Sequence, residues 1–114
     1  MQSIRRVGIA GLLFFASSSL AFAEPMTEQV FLDTHVGNCV AYTGPSTGEQ
    51  CYTADGKTTY TDQTYGNDSG TWEYRDGEVC VRWSKEAGEA CEAYVMEADG
   101  SFSATSGYTW QVIP

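Results

Sequence analysis

Residues Gly70 to Cys91 read G-T-W-E-Y-R-D-G-E-V-C-V-R-W-S-K-E-A-G-E-A-C. Trp72 and Tyr74 share one face of the first run, with Thr71, Glu73 and Arg75 on the other. That is the period-two pattern of a half-buried strand. Asp76-Gly77 follows, a dipeptide that readily adopts the positive φ angles of a tight hairpin. Beyond it, Val79, Val81 and Trp83 fall on one face while Cys80 and Arg82 point the opposite way. Lys85-Glu86-Ala87-Gly88 then turns the chain again. The stretch therefore predicts two or three antiparallel strands and holds two of the three tryptophans. It contains no catalytic device and reads as a folding centre.

Working outward, the same punctuation recurs. Asp55-Gly56 and Asp99-Gly100 repeat the turn dipeptide, each within the string Ala-Asp-Gly. Alternation is clear at residues 36–43, where Val36, Asn38, Val40 and Tyr42 interleave with Gly37, Cys39, Ala41 and Thr43. Thr43 to Gly48 is a turn cluster, and Glu49 to Ala54 is its return strand. Lys57 to Tyr65, rich in threonine and tyrosine, is expected as an edge strand or a partly solvated face. Tyr108, Trp110 and Val112 alternate near the end of the chain. No segment carries a helical stripe of useful length, although Thr27–Leu32 admits a brief helical turn. About seven or eight short strands in one domain predict an all-β antiparallel meander, closed or half-closed as a small barrel. A two-sheet sandwich is the alternative.

Residues 1–23 read as an export signal. Arg5 and Arg6 supply the positive start, Val7 to Phe15 the short apolar core, and Ala21-Phe22-Ala23 the small-x-small cleavage pattern. The apolar run is too short for a comfortable membrane span, so no span is expected in the mature chain. Cleavage leaves residues 24–114: a lead-in over 24–34 and a single β domain over 35–114. The expected address is the periplasm or the medium beyond it. All 15 acidic residues lie in this mature part and face only Lys57, Arg75, Arg82 and Lys85. Four cations against fifteen acids give a formal charge of −11. Phosphate backbones are repelled by such a surface, so nucleic acid is excluded as a partner.

Four cysteines in an oxidising compartment predict two disulfides, for which three connectivities are open. Spacing favours Cys39–Cys51 and Cys80–Cys91, because each pair flanks one turn-forming loop. Closing loops of this length adds roughly 3 kcal/mol per bridge. For so short a chain, which buries only about 60–65% of its extended surface, that contribution is decisive. The paired short spacings of a structural zinc site are missing, and no cofactor is expected.

Candidate chemistry is sparse. His35 is the only histidine, stands just before a predicted strand in a region expected to be partly exposed, and no nucleophile motif accompanies it. The acidic residues cluster on turns, as at Glu73, Asp76 and Glu78 or Glu86, Glu89 and Glu92. Adjacent loop acids do not show the defined separation across a cleft that a glycosidase needs. Asp62, Asn67 and Asp68 lack the alternating ligand pattern of a calcium loop. Aromatic residues are the informative surplus. The tryptophans are expected in the core, and Tyr60 and Tyr65, on a polar hairpin, form the candidate binding surface.

The mature chain resembles a group of short exported proteins of Gram-negative bacteria, a domain of unknown function. The resemblance is carried by Phe31-Leu32, Gly37-Asn38, Tyr52 with Asp55-Gly56, Gly70-Thr71-Trp72, Asp76-Gly77, Cys80 with Trp83, and Cys91. It implies a small β domain with a Cys80–Cys91 bridge, and it implies no activity. Cys39 and Cys51 depart from the pattern, so their pairing rests on compartment and spacing. The function expected is a non-enzymatic exported module that binds an envelope or extracellular protein. A carboxylate hydrolase acting on cell-wall or carbohydrate material and a structural or stress-protective envelope protein are the alternatives.

Overall fold

A computed structural model describes residues 23–114. The export signal read over residues 1–23 lies outside the described residues, apart from Ala23. Among the described residues, ten strands form one continuous sheet: β1 (Glu24–Pro25), β2 (Cys39–Thr43), β3 (Gly48–Tyr52), β4 (Lys57–Asp62), β5 (Gly66–Arg75), β6 (Glu78–Trp83), β7 (Ala90–Glu92), β8 (Val95–Met96), β9 (Phe102–Ser103) and β10 (Thr109–Val112). Their spatial order is β1-β8-β9-β10-β2-β3-β4-β5-β6-β7, with every pairing antiparallel. The fold is thus all-β, a curled half-barrel made from a single sheet rather than a two-sheet sandwich.

Curling follows from the connections. β7 lies at one edge of the sheet and β8 next to the other edge, yet only Ala93 and Tyr94 separate them in the chain. Three peptide steps span at most about 11 Å, so the sheet must bend round until its edges nearly meet. The seam is tied across by polar contacts. Met26 N–H donates to the Tyr94 carbonyl at 2.9 Å, and the Tyr74 hydroxyl donates to the Met26 carbonyl at 2.7 Å. Ser106 N–H donates to Glu92 Oε2 at 3.1 Å.

Turn chemistry sets the register. At Asp76 and Gly77, φ is 55° and 83°, so both central residues are left-handed and make a two-residue hairpin between Arg75 and Glu78. The two Ala-Asp-Gly strings share a different turn. In each, an N–H of glycine returns three residues (Gly56 to Thr53, Gly100 to Glu97) and the flanking strands pair one residue further on. Lys57–Asp62 is not an edge strand. It pairs over Thr58–Asp62 with β3 and over its whole length with β5, and its exposed threonines are the outward half of a central strand.

The short helix α1 (Glu28–Thr34) extends beyond the single turn expected at Thr27–Leu32. Thr27 caps it, its Oγ1 accepting from Val30 N–H at 3.2 Å, which satisfies one of the free donors of the first turn. Phe31 and His35, four residues apart, lie on one face and enter the half-barrel, where both have no solvent exposure. Phe31 meets Tyr52 and Trp72 edge-on with ring centroids 5.3 and 5.2 Å apart. The helix therefore plugs one end of the curled sheet. Cys39–Cys51 and Cys80–Cys91 are both formed, each between residues directly opposite on neighbouring strands.

Candidate functional site

Strand periodicity decides what faces inward. On β2 these are Val40 and Tyr42, on β4 Tyr60 and Asp62, and on β6 Val79, Val81 and Trp83. With one end plugged by α1, the inward residues at the other end line an open cavity of about 500 Å³. Its walls are chiefly aromatic. Tyr60 packs edge-on against Trp83 with centroids 4.7 Å apart, and Tyr42 against Tyr108 at 5.4 Å. Deeper in, Trp110 packs edge-on against Tyr94 at 4.8 Å.

The rim is held by two buried carboxylates. Asp62 Oδ2 accepts from the Tyr42 hydroxyl at 2.7 Å and the Ser46 hydroxyl at 2.6 Å. Asp62 Oδ1 accepts from the N–H groups of Thr64 and Tyr65 at 2.7 and 2.9 Å. Since Ser46 donates to Asp62, the Tyr108 hydroxyl 3.0 Å from it is the donor in that pair. Burial alone would raise the Asp62 pKa. The four donors, Ser46 and Tyr42 foremost, outweigh it and hold the carboxyl well below the usual range. Asp68 is built alike: it accepts from Ser69 N–H at 2.7 Å, from Lys85 N–H at 3.0 Å and from the Ser84 hydroxyl. Its carboxyl also lies below the usual value, the burial penalty being overcome by those bonds. Asp62 lines the cavity mouth, and Asp68, outside the lining, anchors the turn that brings Lys85 and Glu86 to it.

Gly48 is required there. It stands between Tyr42 on β2 and Asp62 on β4, and a Cβ would collide with the Tyr42 hydroxyl and the Thr61 carbonyl. Its bare backbone leaves the path by which Tyr42 reaches Asp62.

His35 sits at the floor between the cavity and the plug, against the expectation of partial exposure. Trp110 Nε1–H donates to His35 Nε2 at 2.8 Å, so Nε2 is an acceptor and the ring is neutral with its proton on Nδ1. Nδ1 lies 2.8 Å from Thr34 Oγ1, which itself donates to the Val30 carbonyl at 2.7 Å. Burial lowers the imidazole pKa from 6.5 to about 4. Both ring nitrogens are committed to the fold.

Tyr60 and Tyr65, singled out from sequence, both line the cavity, Tyr65 at the rim with 63% exposure. The Gly70–Cys91 stretch supplies Val79, Val81, Trp83 and Glu86 to the same wall, so folding centre and cavity share residues. Of the expected core tryptophans, Trp110 is buried, whereas Trp72 and Trp83 are partly exposed. Tyr42, Ser46, Glu92, Tyr108 and Trp110 were not singled out as one site. Their inward alternation was the available signal, and only the closure of the sheet brings them together. The groups define a class: a half-barrel with an open, aromatic-walled cavity. No family model, curated protein or solved structure matches the chain. Among the described residues, no helix is long and apolar enough to cross a membrane.

Proposed function

We propose that this protein is an exported, non-enzymatic binding module that holds a small ligand in the open end of its half-barrel, and that it belongs with the exported β domains it resembles. The observation that carries this reading is the cavity itself. About 500 Å³ lies within the range of small-molecule sites, and mouths of β-barrels are favoured places for them. Its rim is pre-organised by Asp62 and Asp68, which reduces the ordering cost of binding. Export is supported by the signal features of residues 1–23 and by two disulfides that suit an oxidising compartment. The module reading is favoured over a carboxylate hydrolase because Asp62, the buried acid of the cavity, is saturated by four donors and held ionised. A general acid needs the opposite.

The test is titration of the oxidised protein with the neutral apolar dye N-phenyl-naphthylamine, followed by dye emission and by quenching of Trp83 and Trp110. Saturable binding that weakens in Trp83→Ala supports the reading; failure to bind at micromolar protein overturns it. A protein partner is the second reading, favoured by the exposure of Tyr65 at the rim. It predicts that Tyr65→Ala weakens the partner while dye binding is retained.

A further inference from the structure

We propose that the ligand of this cavity is an organic cation, an amine or quaternary ammonium carried on a flat apolar body. The proposal rests on the cavity being a ligand site and specifies what that site selects. Two features of the wall point the same way. First, the mouth is a cage of aromatic faces and edges, with Tyr60 and Trp83 in contact on one side and Tyr42 and Tyr108 on the other. Such cages attract cations through the negative faces of their rings, most strongly where water is excluded.

Second, the charged groups of the lining are Asp62, Glu86 and Glu92 against Lys85 alone. The Lys85 ammonium donates to the neutral Asn67 carbonyl and keeps its charge. One cation against three acids leaves the described lining with a net negative charge, and hence a negative potential at the mouth. Beyond the effect of burial, Tyr60 is pushed up by the charges of Asp68, Glu86 and Asp62. At the floor, burial foremost pushes Tyr94 up to about 12, the hydrogen bond with Tyr52 partly offsets this, and Glu92 adds a smaller upward push. A neutral ligand would leave this potential unanswered and an anion would oppose it; a cation neutralises it.

The experiment compares three probes of one shape, naphthylmethylammonium, naphthylmethanol and naphthylacetate, by calorimetric titration of the oxidised protein at neutral pH. The ammonium is expected to bind about tenfold more tightly than the alcohol, and the acetate more weakly than either. High salt should weaken the ammonium selectively. Glu86→Gln should weaken the ammonium several-fold and the alcohol much less, with a near-ultraviolet circular dichroism spectrum like the parent's showing that the variant remains folded. Equal binding of ammonium and alcohol, or preference for the acetate, overturns the cation assignment and leaves the cavity reading standing. Absence of binding by all three overturns both.

Discussion

At the scale of single residues, three buried polar groups set the behaviour of this protein: His35, Asp62 and Asp68. A buried imidazole held neutral by a tryptophan N–H is a liability in acid. The unfolded chain takes up the proton near pH 6.5, whereas the folded chain resists until about pH 4. Between those values the unfolded state binds more protons, so stability is whole above pH 6.5 and falls as pH drops towards 4. The loss amounts to about 3 kcal/mol once both states are protonated. Asp62 and Asp68 act in a lower window, their contribution being present above the ordinary aspartate pKa and lost below it. Denaturant unfolding measured across pH should therefore show a first decline assigned to His35. His35→Gln, which can still accept from Trp110, should flatten that decline between pH 6.5 and 4. An unchanged slope would exclude His35 as its source.

At the scale of elements, strands owe their placement to close backbone approach and to covalent staples. Gly48 lets β2 and β4 share the Tyr42–Asp62 bond across β3. Gly48→Ala is expected to cost about 1–3 kcal/mol in denaturant unfolding, because the added methyl forces Tyr42 out of its rotamer or shifts the backbone. The disulfides bridge residues 12 and 11 positions apart. Replacing Cys39 and Cys51 together by serine should lower stability by roughly 3 kcal/mol through the freed unfolded chain. A double variant as stable as the parent would mean that the bridge constrains nothing the hairpin does not already hold. Much at this scale was legible beforehand. The Asp76-Gly77 turn, the alternation of Val79, Val81 and Trp83, and both cysteine pairs are local facts, set within a few residues of each other. For Lys57 to Tyr65 the partly solvated face holds and the edge position does not, because threonine and tyrosine report a half-polar surface, which central strands of a curled sheet also present on their outer side.

At the scale of the whole molecule, the sheet is stable in its middle and thin at its seam. β3 to β6 are long and mutually paired, whereas β1, β8 and β9 are two residues each. Hydrogen exchange should then be slowest in β4 and β5 and fastest in β1, β8 and β9. Uniform protection round the sheet would contradict this picture. The cavity opens opposite the helix plug, so a bound ligand should slow exchange of β10 and of the Ser84–Gly88 turn more than that of α1.

The sequence by itself determined an acidic, disulfide-paired, all-β chain and the turns that punctuate it, because those properties depend on side-chain type and short spacing. Only the tertiary structure decided that the sheet curls until Glu92 and Val95 bring its edges together, that α1 plugs one end, and that His35 is core rather than surface. It alone decided that Tyr42, Trp83, Glu92 and Trp110 surround one space. Alternation says that such residues share a face within each strand. Which faces meet depends on closure, and closure is a property of all ten strands together.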